Sequence, residues 1–337
     1  MTAADLQYLT GKRVLVAGGG GFIGGHLAGV LRDLGVAHVR AADVKPHGGW
    51  HQRFDGVEEL ILDLEDRDAA AKAVDGMDIV FNVAADMGGM GFIESNRALC
   101  MLSVLINTHL LLAAREHEVE RYFYSSSACV YAAEHQTAPN VTALVESDAY
   151  PAQPEDGYGW EKLFSERMCR HFTEDFGLPT YVARYHNVYG PYGTWDGGRE
   201  KAPAAICRKV AEARCSDART IEVWGDGEQT RSFTYIDDCI DGTLRLIGSE
   251  VHEPLNIGSS ELVTINELVD LTCDIAGITV ERHHDLSAPQ GVRGRNSDNT
   301  LIRERLAWQP SISLRDGMTA TFEWVSAEVE RARKGRD

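Results

Sequence analysis

Several features that define whole classes of proteins are missing from this sequence. Its seven cysteines are scattered without a CxxC pair, so neither a disulfide framework nor a metal site is indicated. No apolar run is long enough to span a bilayer, and the N-terminus has no apolar stretch typical of a signal peptide. The net charge of −18 argues against binding to nucleic acid or to an anionic membrane. Reduced thiols favour a cytoplasmic protein.

What is present is a regular alternation of two kinds of segment in a chain of 337 residues, long enough to bury a large core. Short apolar, strand-like runs occur at residues 13–17, 38–42, 60–62, 78–83, 121–124 and 180–183. Helical patterns occur at residues 22–34, 69–74, 99–117 and 162–176. The alternation predicts an α/β fold, a Rossmann-type doubly wound parallel sheet with ligands at the carboxyl ends of its strands.

The order of the segments becomes irregular after residue 183. Short strands are predicted near residues 221–224 and 231–234, around a Gly-Asp-Gly turn, and a last helix covers about residues 314–333. We therefore predict a dinucleotide-binding domain over residues 1–180. A later segment at about residues 220–250 is a further candidate part of the same domain. Residues 181–337 form mainly a smaller substrate-binding lobe.

A glycine-rich loop follows the first strand. Gly18, Gly21 and Gly24 form a GxxGxxG pattern, which lets the chain turn tightly and lets backbone N–H groups approach a pyrophosphate. Phe22 and Ile23 begin the following helix, whose N-terminus faces the anion. The loop predicts a dinucleotide cofactor.

Two aspartates follow later strands. Asp43 ends the second strand, where its carboxylate accepts hydrogen bonds from an adenosine ribose and repels a 2′-phosphate, so NAD is favoured over NADP. Asp63 follows the third strand and suits the adenine edge. A helix N-cap for the segment at Glu65 is a nearly equal alternative for Asp63.

The spacing of three polar side chains predicts a site that removes the proton of a sugar hydroxyl. Tyr158 and Lys162 are four residues apart on one face of a predicted helix, so the ammonium is expected to lower the phenol pKa. Ser127, about thirty residues upstream, ends a Ser-rich strand and orients the substrate. Cys129 lies two residues after Ser127, and its thiol is a candidate group for moving protons on carbon. The alternative interpretation of Cys129 is a small buried core residue.

Lys201 is a second candidate residue. The alternative interpretation of Lys201 is a surface amine at the start of a helix.

These motifs carry a family resemblance. The glycine loop, Asp43, SSSACVY at 125–131 and YGWEK at 158–162 resemble the extended short-chain dehydrogenase/reductases that act on nucleotide sugars. Longer strings are similar to the branch that epimerises GDP-mannose at C3 and C5: ADMGGMGFI at 85–93, SSAC at 126–129, RYHNVYGP at 184–191, GGREKAPAA at 197–205, WGDGEQTRSFTYIDD from 224 and GVRGRNSDN from 291. The resemblance covers nearly the whole chain.

The resemblance implies a redox-neutral epimerase that converts GDP-D-mannose to GDP-L-galactose with tightly bound NAD. Tyr158, assisted by Lys162 and Ser127, deprotonates the C4 hydroxyl while the C4 hydride passes to NAD. The resulting 4-keto sugar has acidified C3 and C5 protons, which Cys129 and Lys201 exchange. Return of the hydride completes the reaction, so the cofactor is recycled in place.

Further residues and a partner follow from the same resemblance. The nucleotide-sugar site comprises Gly88, Ser127, Ala128, Cys129, Asn187, Glu200, Lys201, Ala202, Lys209, Gln229, Thr230, Arg231 and Arg295. Arg295 is expected to contact a diphosphate with both ends of its guanidinium. A homodimer paired through residues 99–117 and 162–176 of each chain is also implied.

The chain departs from the family pattern at two positions and leaves other functions open. Ala132 stands where a proline is usual, and Asp196 reverses a charge near the substrate loop. The same mechanism on another nucleotide sugar, such as a heptose or deoxysugar donor, is therefore an alternative. So are a product inverted only at C5 and a catalytically silent NAD-binding scaffold.

Overall fold

A computed structural model describes residues 6–216 and 219–334 of the chain. Its strands are β1 (Arg13–Ala17), β2 (His38–Asp43), β3 (Val57–Ile61), β4 (Ile79–Asn82), β5 (Arg121–Ser127), β6 (Thr180–Tyr185), β7 (Val188–Tyr189), β8 (Thr220–Trp224), β9 (Thr230–Ser232), β10 (Thr234–Tyr235), β11 (Leu255–Ile257), β12 (Leu262–Thr264), β13 (Glu281–Asp285) and β14 (Gly294–Arg295). Its helices are α1 (Phe22–Asp33), α2 (Arg67–Val74), α3 (Met90–Ser95), α4 (Arg97–Glu116), α5 (Tyr158–Phe176), α6 (Ala202–Arg214), α7 (Ile236–Ile247), α8 (Ile265–Ala276), α9 (Thr300–Leu306) and α10 (Leu314–Lys334).

Seven strands form the large sheet in the order β11-β6-β5-β4-β1-β2-β3. Each neighbouring pair is parallel, so the carboxyl ends of all these strands meet at one edge. The chain runs outward from β1 to β3 and then crosses back to β4, which makes the β1–β4 boundary the switch point where this fold binds ligands. The predicted Rossmann-type sheet is confirmed.

Both faces of the large sheet are covered, because alternate strand residues point to opposite sides. Val14 and Val16 belong to a core that includes Leu27 of α1 and Ile240 of α7. Leu15, between them, belongs to the core on the other face, which α2, α4 and α5 complete. Each fully buried aliphatic side chain of these cores contributes about 1.5–3 kcal/mol relative to exposure.

A second lobe is built around a separate core formed by α6, α8, α10 and β8. Val210, Leu268 and Met318, one from each of these helices, are fully buried there. The small sheets β12-β9-β14 and β13-β8 accompany it. Strand β6 of the large sheet itself extends beyond residue 180 to Tyr185. Later elements also return to this sheet, because α7 packs on its face and β11 is its edge strand. The domain boundary at residue 180 stays a prediction.

Helix α4 is long and apolar enough to cross a membrane by length and composition alone. Its apolar sequence is not continuous, because polar residues such as Ser103 and Asn107 interrupt it. Both of these side chains are buried within the protein. Within its most apolar window, 44% is buried. Met101, Leu102 and Leu105 are exposed, so one face packs on the sheet and a second apolar face is left open.

Candidate active site

The glycine-rich loop joins β1 to α1 at the carboxyl edge of the large sheet. Gly18 has a φ of +85°, which favours glycine. A Cβ at Gly24 would lie 2.1 Å from the Gly18 carbonyl oxygen, so no side chain fits there. Gly21 caps α1 without a side chain, and Phe22 and Ile23 begin the helix, so the first-turn N–H groups are available to an anion. This cradle fits the pyrophosphate of a dinucleotide.

Asp43 ends β2 beside this loop, at the predicted place. Its buried carboxylate accepts the N–H of Gly20 at 3.0 Å and the N–H of Lys45 at 2.9 Å. Sequence reasoning missed Trp50, whose indole N–H donates to the Lys45 carbonyl at 2.9 Å. Its ring lies so close to the loop that a Cβ on Gly20 would be 2.4 Å from it. The carboxylate is held where a ribose lies in this fold, and the ribose contact itself stays a prediction.

Asp63 lies after β3 with an exposed side chain. Its carboxylate accepts the N–H of Glu65 at 3.0 Å. The N-cap of α2 is Asp66, which accepts the N–H of Ala69 at 2.8 Å. The capping alternative therefore applies to Asp66, and an adenine contact of Asp63 stays a prediction.

A cavity of about 380 Å³ lies between the carboxyl edge of the large sheet and the second lobe. Most predicted site residues line it: Gly88, Ser127, Ala128, Cys129, Tyr158, Asn187, Glu200, Lys201, Ala202, Lys209, Gln229, Arg231 and Arg295. Lys162 is buried outside the cavity wall. Thr230 is also outside, since its hydroxyl donates to the Pro139 carbonyl at 2.6 Å. Sequence reasoning missed the wall residues Met87, Trp224 and Gln290.

Tyr158 and Lys162 lie one turn apart at the start of α5. The Lys162 ammonium is 5.4 Å from the centroid of the Tyr158 ring and 3.6 Å from the Glu161 carboxylate. Burial raises the pKa of Tyr158 well above its usual value, and a hydrogen bond with Ser127 lowers it only in part. Burial therefore dominates the pKa of Tyr158 in this arrangement, and Glu161 lies close to the charge of Lys162. The expectation that the ammonium lowers the phenol pKa stays a prediction.

Backbone contacts fix the start of α5 against the end of β5. A Cβ at Gly159 would lie 2.3 Å from the Cys129 carbonyl oxygen, so only glycine allows this approach. The same oxygen accepts the N–H of Glu155 at 3.0 Å. Ser127 accepts the N–H of Cys129 at 3.2 Å. Tyr158 is therefore held beside the Ser-rich strand end.

The Cys129 thiol lies against the guanidinium of Arg295, whose Nη1 is 3.6 Å from Sγ. The Arg295 Nε donates to Gln136 at 2.6 Å, and its other amino group pairs with Glu155. Burial raises the pKa of Cys129 to about 11, the charge of Glu155 adds to the rise and Arg295 opposes it. The thiol is therefore protonated near neutral pH. Each guanidinium nitrogen of Arg295 thus makes one contact within the protein, and the predicted diphosphate contact stays a prediction.

Lys201 occupies the N-cap position of α6. Burial lowers its pKa, and the neighbouring Cys129 opposes this in part. The loop that carries Lys201 is held by Arg199, whose guanidinium pairs with Asp86 at 2.6 Å and lies 3.8 Å from the Phe92 ring centroid. An amine with a lowered pKa and a thiol with a raised pKa therefore share one cavity.

Two cations give this acidic chain a locally positive cavity wall. Arg231 donates to the backbone carbonyls of Thr230 at 2.7 Å and Val292 at 2.6 Å, and burial lowers its pKa to about 9. Lys209 donates to the Glu222 carbonyl at 2.7 Å, and burial lowers its pKa as well. The Lys209 ammonium also lies 3.8 Å from the Glu222 carboxylate, whereas the hydrogen bonds of Arg231 go to backbone carbonyls. A cationic wall of this kind suits an anionic ligand.

The departure at Asp196 is balanced within the protein. Arg208 lies 3.6 Å from Asp196, 3.0 Å from Glu200 and 3.3 Å from Glu212. Asp196 lies outside the cavity wall and its side chain is 54% exposed. The charge reversal therefore reaches the cavity only through Arg208 and Glu200.

The histidines do not assemble a metal centre. His186 is fully buried with its Nε2 3.0 Å from Asn256 Oδ1, and His284 lies 3.2 Å from Asn266. In the part of the chain that the structure describes, no group of three or more His, Cys, Asp or Glu side chains is arranged to hold a metal ion.

Known proteins resemble this chain in both sequence and structure. Residues 14–258 match the model of the NAD dependent epimerase/dehydratase family. GDP-mannose 3,5-epimerase 1 of Oryza sativa subsp. japonica is 48% identical over 320 residues, which is 95% of this chain and 83% of the rice protein. GDP-mannose 3,5-epimerase of Arabidopsis thaliana is 45% identical over 96% of this chain and 85% of its own.

Solved structures give the same result for the fold. UDP-glucose 4-epimerase of Thermotoga maritima with UDP-glucose superposes with a TM-score of 0.84 at 25% identity, covering 96% of this chain and 100% of that chain. UDP-glucuronic acid 4-epimerase of Bacillus cereus, in complex with UDP-glucuronic acid and NAD, gives a TM-score of 0.80 at 25% identity over 94% and 99% of the two chains.

Proposed function

The chain belongs to the NAD dependent epimerase/dehydratase family, and from this premise we propose that it converts GDP-D-mannose to GDP-L-galactose by inverting C3 and C5. One observation carries the proposal: Cys129 and Lys201 share the cavity with Tyr158. Inversion at C4 needs a hydride acceptor and a base for the hydroxyl. Inversion at C3 and C5 additionally needs groups that move protons on carbon, which a thiol and an amine supply.

The C4 hydroxyl is activated by the residues at the start of α5. Tyr158 accepts the hydroxyl proton, and its hydrogen bond with Ser127 orients both oxygens toward the sugar. Lys162 stabilises the tyrosinate through its nearby ammonium. Removal of the hydride leaves a ketone at C4, which acidifies the protons at C3 and C5.

Cys129 and Lys201 exchange those protons. Because burial lowers the pKa of Lys201, its amine is ready to accept a proton. Because burial raises the pKa of Cys129 to about 11, its thiol is ready to deliver one. Removal of a proton by one group and delivery by the other on the opposite side inverts a carbon centre.

When bound, NAD supplies a reversible hydride acceptor, which makes the overall reaction redox-neutral. The residues proposed to hold it are Gly18, Gly21, Phe22, Ile23, Gly24, Asp43, Asp63, Tyr158 and Lys162. The glycine cradle supports this assignment because its close backbone contacts leave no room for side chains.

The nucleotide sugar is proposed to bind Gly88, Ser127, Ala128, Cys129, Asn187, Glu200, Lys201, Ala202, Lys209, Gln229, Thr230, Arg231 and Arg295. Lys209 and Arg231 place positive charge on the wall, which supports binding of a diphosphate. Thr230 takes part through its backbone carbonyl, which accepts a hydrogen bond from Arg231.

We further propose a homodimer that pairs α4 and α5 of each chain. Apolar side chains on both helices support it, since Met101 and Leu102 are each 46% exposed and Phe164 is 56% exposed. Exposed apolar side chains on two helices that pack against each other are typical of an interface. A cytoplasmic location is also proposed, because all seven cysteines are unpaired.

The first test is proton exchange in deuterated water. The purified protein, without added cofactor, is incubated with GDP-mannose, and the sugar protons are read by NMR. We expect deuterium at C3 and C5, and we expect Cys129→Ala to slow the exchange by about 10²–10⁴-fold. Cys215→Ala, at an exposed cysteine, is the matched control and keeps the wild-type rate.

The pattern of label separates the alternatives. Label at C5 alone indicates a C5-only epimerase. If no deuterium enters the sugar although the protein carries NAD, GDP-mannose is excluded as the substrate. The assay is then repeated with UDP-sugars, which the solved relatives bind. Absence of exchange with every donor leaves the silent scaffold.

A further inference from the structure

Glu155 lies behind the proposed catalytic thiol without lining the cavity. It sits in the loop before α5, and its backbone N–H donates to the Cys129 carbonyl at 3.0 Å. Its carboxylate pairs with Arg295, and both side chains are nearly buried, at 12% and 6% exposure. Arg295 in turn contacts the thiol at 3.6 Å. Glu155, Arg295 and Cys129 therefore form one connected buried cluster.

Without Glu155, the groups around the Cys129 thiol would be only cationic or neutral. The groups that face or influence Cys129 come from several elements: Tyr158 of α5, Lys201 before α6, Arg231 of β9, Arg295 of β14 and Glu155 of the loop before α5. Glu155 is the carboxylate in this set, and the others are cationic or neutral. Without it, the Arg295 guanidinium would be an uncompensated buried charge in contact with sulfur, which favours the thiolate.

We propose that Glu155 is a positioning residue of the reaction: its carboxylate holds Arg295 against Cys129, neutralises it, and so keeps the resting sulfur as a thiol that delivers a proton to carbon. The inference rests on the proposed function for its final step. In that step the S–H bond breaks and a C–H bond forms. The electron pair stays on sulfur, the enolate loses its negative charge, and the new thiolate lies beside Arg295.

The test measures thiol reactivity, which does not depend on the sugar. In a Cys215→Ser background, which removes the exposed cysteine, alkylation of Cys129 by iodoacetamide is followed by mass spectrometry from about pH 8 to about pH 12, a range that includes the raised pKa of Cys129. We expect Glu155→Gln to move the midpoint of reactivity down by about one pH unit or more. Arg295→Gln should move it up, because a positive charge is removed. Loss of packing alone would move both variants in the same direction.

Turnover supplies the second readout. Because a thiolate cannot deliver the proton, kcat is expected to fall on the alkaline side as the sulfur ionises. Glu155→Gln should move this fall down by about one pH unit or more, together with the alkylation midpoint, while KM changes by less than about threefold. Asp156→Asn is the matched control: this neighbouring carboxylate is 69% exposed and pairs with Arg97 at the surface. It should leave both readouts unchanged.

An unmoved midpoint in a Glu155→Gln protein that retains NAD and melts normally overturns the proposal. If that variant does not fold, Glu155→Asp carries the test, since its carboxylate lies one methylene farther from Arg295. A downward shift of about 0.3 pH units or more is then expected, and an unchanged midpoint overturns the proposal. If wild-type protein exchanges no sugar protons while the midpoint shifts as expected, the proposed function fails and the role of Glu155 at the thiol stands.

Discussion

Lys201 carries an amine where the surroundings disfavour positive charge. It stands at the N-cap of α6, at the positive end of the helix dipole, and burial lowers its pKa. The free amine is therefore populated at a lower pH than for an ordinary lysine. The lowered pKa supports the proposed role of Lys201 as a base.

The protonation of Lys201 predicts a pH profile. Activity should rise with pH through the lowered pKa of Lys201 and then level off, because only the free amine accepts a proton. Lys201→Arg keeps the charge but stays protonated, so kcat should fall by about 10²–10⁴-fold. Lys72→Arg, at an exposed lysine of α2, should match wild type. The measurement is kcat between about pH 6 and pH 9, and wild-type turnover by Lys201→Arg would exclude this role.

The residues that sequence reasoning located are those whose motif is local. The glycine loop, Cys129 and Lys201 are read from short strings, and the structure brings the last two into one cavity. Glu155 was missed because its partner Arg295 lies 140 residues away and no local pattern joins them. Thr230 was predicted to be a site residue because it lies in the matched string that begins at residue 224. In a strand alternate side chains point to opposite faces, so Arg231 lines the cavity while Thr230 turns away.

At the scale of elements, α4 and α5 carry the proposed dimer contact. They pack against each other on the large sheet and expose Leu105 and Phe164 on their outer surfaces. Full burial of a fully exposed side chain of this size contributes about 1.5–3 kcal/mol, and the exposed parts of Leu105 and Phe164, 37% and 56%, contribute a corresponding fraction. A charge at either position would have to be desolvated in the interface.

This arrangement predicts that a single charge dissociates the dimer. Leu105→Glu or Phe164→Glu should shift the sedimentation coefficient from that of a dimer to that of a monomer. Leu286→Glu is the control, because Leu286 is 69% exposed and lies outside both helices. A wild-type protein that sediments as a monomer, or a Leu105→Glu protein that remains a dimer, would contradict the assigned interface.

Elements with long apolar runs could be predicted, and elements with none could not. Strands β1, β2, β4, β5 and β6 follow from local hydrophobic patterns because most of their residues are buried. Strand β3 is an edge strand with no buried residue, so the apolar run at residues 60–62 does not reach its start at Val57. Strands β7, β10 and β14 have two residues each, so no period can be read from them. Their partners are distant: β14 pairs with β9, which places Arg295 beside Arg231. No local rule predicts two arginines side by side.

At the scale of the whole molecule, His186 makes the fold sensitive to acid. It connects β6 to β7 and is fully buried, and its backbone N–H donates to the Ile257 carbonyl of β11. Burial lowers its pKa from 6.5 to about 3. The folded protein therefore keeps this histidine neutral where the unfolded chain binds a proton.

The consequence for stability has a definite sign. Below about pH 6.5 the unfolded state binds one more proton than the folded state, so the free energy of unfolding falls as pH falls, by about 1.4 kcal/mol per unit. From neutrality to about pH 5 this amounts to about 2 kcal/mol. His186→Gln, which cannot titrate, should lose about 2 kcal/mol less over this interval in urea denaturation. Equal losses in both proteins would exclude His186 as the acid-sensitive group.

The cavity takes its walls from two parts of the molecule. Cys129 and Tyr158 come from the large sheet and its flanking helix, whereas Lys201 and Arg295 come from segments that belong to the second lobe. A recombinant that exchanged the second lobe for that of a relative would therefore replace the amine and the guanidinium together with the walls that select the sugar. An exchange of the second lobe would thus alter the walls of the proposed substrate site and one member of the proposed proton-transfer pair in a single step, while Cys129 and Tyr158 stay unchanged.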